Sequence, residues 1–351
     1  MAHKIGIIGY GGMANWHHDN IPRVQGLEVV AAYDIDPERV KLARERGLQG
    51  YDTLEAFLAD ERFDMVLCAT PNNFHKQMVV AALEAGKHAI CEKPVAMSSE
   101  ELAEMIAASE RCGKLFTVHQ NRRWDRDYRM IMEALNAGKI GKPYTIESRV
   151  HGQNGVMQGW RAYKVAGGGM LLDWGVHLID QLLFLIHEPV TEVYCQMFSI
   201  KTPEVDDYFK LLLRFASGLS AQVEVGTYCL KQMPRWYVNG DAGSIIIEDW
   251  DCNGEIITAN QYAMEWEPEV VQTAAGPTRT MAPRPQETLS KEALPNVDAI
   301  ADWTNFYRNV MDVVDGKAEL IVKPAEVMRV MKIMECCFAS NEQGVSLKVR
   351  I

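Results

Sequence analysis

His3-Lys4-Ile5-Gly6-Ile7-Ile8-Gly9-Tyr10-Gly11-Gly12-Met13-Ala14 opens the chain and decides the reading of its fold. A β-rich run over residues 5–8 is followed at once by Gly9-x-Gly11-x-x-Ala14. The first glycine allows a tight turn, the second lets a diphosphate approach the backbone, and the small third residue lets helix and strand pack closely. The helix N-terminus then faces the phosphates. A second strand over 27–33 ends at Asp34, about 20 residues beyond the motif, where an acid for the ribose hydroxyls is expected. That carboxylate repels a 2′-phosphate, and neither Ile35 nor Asp36 offers one a partner, so NAD is expected over NADP. The competing reading of Asp34 is a turn residue ahead of Asp36-Pro37.

Strand and helix patterns alternate from there to residue 120. A helix follows Pro37, a buried strand over 64–69 ends at Thr70-Pro71, and a helix covers 73–85. Another strand over 88–91 ends at Glu92-Lys93-Pro94, Ser98 or Ser99 caps a helix running to about Cys112, and a strand over 115–118 closes the unit. This grammar predicts a doubly wound parallel sheet, an α/β Rossmann domain over residues 1–122, with ligands beyond the strand C-termini. Gly11, Asp34, Thr70, Glu92-Lys93 and His119 all occupy such ends.

The remainder, 123–351, reads as a second, α+β domain. Strands over 144–150, 190–200, 208–215, 220–225 and 243–248 imply a large, mostly antiparallel sheet. Residues 260–295 hold five prolines and little periodicity, and read as a long surface excursion. Helices are expected near 297–315 and 324–341, with Pro324 at the start of the second and Gly344 beyond its end; these C-terminal helices have the option of packing back on the first domain.

Composition narrows the class. A chain of 351 residues suits two domains, and a net charge of −11 argues against nucleic acid as a partner. No apolar run is long enough for a membrane span, and Met1-Ala2-His3-Lys4 leads straight into the first strand, so a cytoplasmic protein without signal peptide is expected. The eight cysteines form no C-x-x-C motif, which fits reduced thiols and gives no metal signal.

In the middle of the chain, Gly167-Gly168-Gly169 leads into a run where Asp173, His177 and Asp180 fall at i, i+4 and i+7. On a helix these share one face, and two carboxylates beside a histidine set its tautomer and basicity as a general acid/base needs. A capped helix with a satisfied histidine is the alternative on this segment alone.

The glycine loop, Asp34, Thr70-Pro71-Asn72-Asn73-Phe74-His75, Glu92-Lys93-Pro94 and Gly167-Gly168-Gly169-x-Leu171-x-Asp173-x-Gly175-x-His177-x-x-Asp180 occur in that order. This set resembles the glucose–fructose oxidoreductase / inositol dehydrogenase / MocA family over essentially the whole chain. The resemblance implies alcohol–ketone interconversion on cyclic sugars or polyols, and a substrate domain whose sheet builds oligomers. It makes Lys93, Asp173 and His177 the catalytic group and brings Trp160-Arg161 near the cofactor. Cofactor contacts are expected from Gly9, Gly11, Gly12, Met13, Asp34, Thr70, Pro71, Asn73, His75, Glu92, Lys93, Asn121, Trp160 and Arg161. Substrate contacts are expected from Lys93, Arg122, Asn154, Asp173 and His177. Ala14 stands where a glycine is frequent, and the 260–295 excursion has no counterpart to align.

Residue chemistry points the same way. Oxidising a secondary alcohol requires a base for the hydroxyl proton, and an unperturbed imidazole titrates near working pH. A lysine at a strand end stabilises developing alkoxide charge. Asp173 orients either His177 or a substrate hydroxyl. For Asn121 and Arg122 a substrate role and a domain-interface role stand equally open; His17 belongs either to the site or to a wet helix face.

Three functions remain distinct at this level. The first is an NAD-dependent dehydrogenase of a pyranose, glycoside or inositol. In the second, tightly held NAD is recycled to make a 3-keto sugar for elimination or isomerisation; the third is a non-catalytic dinucleotide sensor. Intact Lys93, Asp173 and His177 weigh against the third. A homodimer or homotetramer is expected, because the strand faces opposite Val193, Cys195, Met197 and Phe209 carry Tyr194, Phe198, Tyr208 and Leu212 rather than a polar set.

Overall fold

The computed structural model describes residues 2–259 and 267–351. Its first layer is β1 (His3–Ile8), α1 (Gly12–Asn20), β2 (Leu27–Tyr33), α2 (Pro37–Glu45), β3 (Gln49–Tyr51), α3 (Leu54–Leu58), β4 (Met65–Cys68), α4 (His75–Glu84), β5 (His88–Cys91), α5 (Ser99–Cys112) and β6 (Phe116–Val118). The six strands are all parallel in the order β3-β2-β1-β4-β5-β6. Strand order reverses beside β1, so a crevice opens between the C-terminal ends of β1 and β4. Local chemistry sets the boundaries. The Ser98 hydroxyl accepts the Glu101 amide at 3.2 Å to start α5, Asp36 accepts the Glu38 amide at 3.0 Å ahead of Pro37, and Gly113 ends α5 at φ +60°.

The second layer adds α6 (Arg126–Asn136), β7 (Pro143–His151), α7 (Val176–Leu185), β8 (Val190–Phe198), β9 (Tyr208–Phe215), β10 (Ser220–Gly226), β11 (Trp236–Gly240), β12 (Gly243–Ile247), β13 (Gly254–Ala259), β14 (Val271–Thr273), β15 (Gly276–Thr278), β16 (Leu289–Ala293), α8 (Thr304–Val314), α9 (Pro324–Gln343) and β17 (Leu347–Lys348). Nine of these strands form one sheet, β16-β13-β12-β11-β7-β10-β9-β8-β17. Only β7 and β10 pair in parallel, which makes the sheet mixed but mostly antiparallel.

The excursion expected at 260–295 needs correction. Residues 260–266 lie outside the described residues, but β14 and β15 form a hairpin and β16 pairs with β13 as the sheet edge. The helix expected from 297 begins at Thr304, whose amide is accepted by Asp302 at 2.9 Å.

The inner sheet face alternates as its strands dictate. Phe209, Leu211, Leu213 and Phe215 of β9 are buried, with Val193 and Cys195 of β8 beside them. Gly175, just before α7, packs directly on this face: a Cβ there would come within 2.8 Å of the Phe209 ring. The C-terminal helices bind both layers. Tyr307 of α8 reaches His17 of α1 at 2.7 Å, and Glu335 of α9 accepts the Ser99 amide and hydroxyl of α5 at 2.6 and 2.9 Å. Among the described residues no helix is long and apolar enough to cross a membrane.

Candidate active site

Gly9 adopts φ +86°, and a Cβ there would lie 2.8 Å from the Thr70 amide nitrogen. Only glycine takes that conformation in that space without strain. Gly11 caps α1 without any side chain, and a Cβ on Gly12 would meet open space. The amides at the start of α1 are therefore free for an anion. A cavity of about 170 Å³ runs from Gly11, Gly12 and Met13 past Thr70, Pro71 and Asn72 to Lys93, Trp160 and Arg161. A second, of about 570 Å³, is lined by Gly9, Asp34, Ile35, Leu54 and Phe74. Arg39, Thr70 and Pro71 border both. A glycine turn, a free helix N-terminus and an elongated cavity ending at an acid fit a dinucleotide.

Asp34 is buried and braces the loop: Oδ2 accepts the Tyr10 amide at 2.6 Å and Oδ1 the Asp36 amide at 2.9 Å. Beside it lies Arg39, half-exposed, with Nη1 3.5 Å from Asp34 Oδ2. Sequence reading stopped at Asp36 and missed this guanidinium, which stands in the first turn of α2 and borders both cavities.

At the other end, the Lys93 ammonium donates to the Asp173 backbone carbonyl at 2.9 Å and to its Oδ1 at 3.0 Å. Arg161 Nε lies 3.2 Å from the same Oδ1. Burial pushes Asp173 up, but the Lys93 and Arg161 cations outweigh it and hold the carboxylate below its ordinary value. His177 is buried, and its Nδ1 meets Gln120 Oε1 at 3.2 Å. With that carbonyl as acceptor, Nδ1 carries the hydrogen and Nε2 is the basic nitrogen. Burial, then the nearby Lys93 and Arg122 cations, hold His177 well below the usual imidazole range. Lys93, Asp173, His177, Asn121 and Arg122 line one cavity of about 320 Å³ with Trp16, Glu92 and His119.

Behind this cavity Glu92 is a hub. Its Oε1 accepts from His17 Nε2 at 2.7 Å and His119 Nδ1 at 2.9 Å, and Oε2 accepts the Lys93 amide at 3.1 Å. Burial favours the neutral acid, yet the two histidines hold Glu92 well below the normal range. Glu92 thus fixes the Lys93 backbone, and His17 is an internal strut rather than a wet surface residue.

Three expectations need correction. Asp173 and Asp180 do not flank His177. Residues Leu171–Gly175 form a π-helical turn, which shifts Asp173 toward Lys93. Asp180 instead holds Arg123, with Nε–Oδ2 and Nη2–Oδ1 both at 2.8 Å. Asn73 is exposed and borders none of the cavities described above; Asn72, buried, borders the nucleotide cavity and donates to the Gly167 carbonyl at 3.0 Å. His75 is fully buried with its nitrogens 2.9 Å from the Pro94 and Thr70 carbonyls, so it braces the cofactor loop from behind. Arg122 lines the catalytic cavity as expected of a substrate contact, and there it also pairs with Asp125 at 2.9 Å and lies 4.2 Å over the Trp174 ring.

Asn154 lines a further cavity, of about 600 Å³, which shares Arg122, Arg161 and Trp174 with the catalytic one. Trp250, in the turn after β12, forms part of its wall. No sequence signal singled that residue out.

Two family models match the chain. "Oxidoreductase family, NAD-binding Rossmann fold" covers residues 3–120, and "GFO/IDH/MocA C-terminal domain" covers residues 128–246. The scyllo-inositol 2-dehydrogenase (NADP(+)) IolW of Bacillus subtilis (strain 168) is 26% identical over 97% of this chain and 94% of its own length. The 1,5-anhydro-D-fructose reductase of Ensifer adhaerens is 31% identical over 69% of this chain and 74% of its own. A crystal structure of an NAD-binding protein from Listeria innocua superposes with a TM-score of 0.94 at 43% identity, covering 99% of both chains.

Proposed function

Since this chain belongs to the Gfo/Idh/MocA oxidoreductase family, we propose that it interconverts a secondary alcohol and a ketone on a cyclic sugar or polyol. The observation that carries the reading is one cavity in which the Lys93 ammonium, locked to Asp173, stands with the basic nitrogen of His177. Relatives named for scyllo-inositol and 1,5-anhydro-D-fructose support a cyclic polyhydroxylated substrate.

A bound nicotinamide would supply the hydride acceptor for oxidation at the carbinol carbon. His177 takes the hydroxyl proton on Nε2, and being neutral beforehand it is in the right state to do so. Lys93 donates a hydrogen bond to the reacting oxygen and stabilises the charge that develops there. Asp173 holds the ammonium in place, and Gln120 fixes the tautomer of His177. Gly9, Gly11, Gly12 and Met13 take the diphosphate, with Thr70, Pro71, Asn72 and Trp160 along its path.

For the cofactor, NAD is favoured by the Asp34 carboxylate, which lines the cavity that Arg39 also borders. Arg39 keeps a 2′-phosphate from being excluded outright, so discrimination is modest. Assembly into a dimer or tetramer through the outer sheet face follows from the apolar residues there.

The test is to incubate purified protein with NAD⁺ or NADP⁺ and a panel of inositols, pyranoses and glycosides, following reduced nicotinamide by absorbance. Stoichiometric ketone and reduced cofactor with at least one cyclic polyol are expected. Cofactor binding without oxidation or reduction of any member, in either direction, sinks the proposal.

A further inference from the structure

We infer that the large chamber beside the catalytic cavity is an aglycone subsite, so that the preferred substrates are glycosides bearing an apolar aglycone. This rests on the reading of the catalytic cavity as an alcohol-oxidising site. The two spaces are neighbours, with Arg122, Arg161 and Trp174 bordering both. The catalytic cavity, about 320 Å³, is at the small end of ligand pockets, which span roughly 300–1,000 Å³. The chamber adds about 600 Å³. A single sugar ring occupying the catalytic cavity leaves this second volume for whatever it carries.

The chamber walls decide the chemistry of that substituent. Val150, Met157, Met170, Val225, Trp174 and Trp250 supply apolar surface. Apart from Asn154, which is exposed, the hydrogen-bonding side chains of Arg, His and Thr along the wall each have a protein partner, Arg161 in Asp173. Arg122 pairs with Asp125. His151 accepts the Met233 amide at 3.3 Å and lies 3.3 Å from Glu224. The Thr227 hydroxyl donates to the Gly155 carbonyl at 3.2 Å. A second sugar here would find faces to stack on but few partners for its hydroxyls, each unmet group costing about 1–3 kcal/mol. An aryl or alkyl group has no such cost.

Trp250 stands at one corner of this chamber. It is 49% exposed, so about half of its surface is open beside the chamber it lines. It is nevertheless fixed. The Arg235 guanidinium lies 3.9 Å from its ring centroid, is itself buried, and is anchored to Asp127 at 2.9 Å. Trp174 meets it at 5.7 Å between centroids, tilted 58°. Two indoles held at an angle, one backed by a buried cation, form a pre-set corner for a flat apolar group.

The experiment compares free pyranoses with their methyl and phenyl glycosides, both anomers, in the NAD-loaded protein and in Trp250→Ala and Trp250→Phe. The phenyl glycoside should have the lower KM, by about tenfold, and Trp250→Ala should erase most of that preference, as losing an aromatic wall does. Trp250→Phe should restore part of it. Quenching of intrinsic fluorescence by phenyl glycosides in the Lys93→Met protein reads the subsite without turnover, so loss of turnover in every substrate overturns the catalytic reading alone. Equal KM values and equal quenching for phenyl and methyl glycosides overturn the subsite. So does a Trp250→Ala protein that changes solution mass rather than ligand preference, since a second copy of the chain would then be what covers the indole.

Discussion

Lys93 and Asp173 lie 80 residues apart in sequence, one following β5 and the other preceding α7, and their ammonium and carboxylate meet at 3.0 Å. A second bond, from the same ammonium to the Asp173 backbone carbonyl at 2.9 Å, fixes the direction of the lysine as well as its position. Removing the charge while keeping the bulk tests its part in the chemistry. Lys93→Met should lower turnover by about 10²–10³, the usual loss of an oxyanion-stabilising donor. Calorimetric titration should show cofactor affinity within a few-fold of the parent. Near-parental turnover would assign the oxygen contact to another group.

His177 sets the pH dependence. Its imidazole is held well below the normal range by burial and by the Lys93 and Arg122 cations. A base works only when unprotonated, so activity is lost as pH falls through that lowered value, not near 6.5. The acid limb of kcat/KM should therefore lie below pH 6.5, and the neutral range should be flat for this group. Gln120→Leu removes the acceptor for Nδ1–H and should cut kcat by about tenfold or more while moving the limb, as loss of a base's orienting partner does. An acid limb at or above 6.5 would mean that another group titrates.

How much of this could be read in the chain depends on range. The turn at Gly9 and the strand-end position of Lys93 are local, and sequence captured both. The helical spacing of Asp173, His177 and Asp180 was also visible, but the π-turn at Leu171–Gly175 breaks the phase that spacing assumes. Nothing local announces that Asp180 will find Arg123, 57 residues earlier, or that Gln120 will orient His177. Neighbours misled in two cases: Asn73 stands next to the residue that faces the cavity, and His75 spends its nitrogens on backbone carbonyls. Strands β11, β13 and β16 escaped because they are short and only partly apolar, and sheet context stabilises them.

Cofactor choice should respond to two side chains in opposite directions. Asp34 presents a carboxylate and Arg39 a guanidinium to the same cavity. Arg39→Ala should weaken NADP binding by about tenfold, one charge-assisted contact, and change NAD little. Asp34→Ser should raise the NADP-to-NAD affinity ratio, at some cost in stability because the Tyr10 and Asp36 amides lose their acceptor. Titration with both cofactors decides it; unchanged ratios would place the ribose away from this pair.

The Arg123–Asp180 pair carries structure rather than chemistry. Both side chains are 2% exposed, and the guanidinium also reaches Glu326 at 2.7 Å and the Ile321 carbonyl at 2.9 Å. It thereby links the 121–124 turn, α7 and α9. Asp180→Leu leaves a buried guanidinium short of its main partner and should destabilise the protein by about 3–5 kcal/mol. Thermal unfolding reads this directly. A change below about 1 kcal/mol, within the range of exposed pairs, would show that Glu326 alone satisfies the arginine.

The outer face of the nine-stranded sheet carries apolar side chains. Leu212 and Phe198 are exposed there, with Tyr194 and Tyr208 half-buried alongside. Inward, the same strands alternate cleanly, as Phe209, Leu211 and Leu213 show. An antiparallel sheet with water on one side alternates apolar-in and polar-out, whereas this outer face mixes the four apolar or aromatic residues with Glu192, Gln196, Lys210 and Arg214. Between its apolar residues sits a charged cluster, in which Glu224 accepts the Tyr208 hydroxyl at 2.5 Å and Arg149 lies 3.4 Å away. Exposed apolar residues beside a paired charged cluster suit burial against another copy of the face, which a two-fold axis makes self-complementary. Light scattering at micromolar concentration should give a dimer or tetramer, and Leu212→Asp should shift the mass downward while the circular dichroism stays native. A parental protein that is monomeric under those conditions would remove the oligomer and leave this face to water.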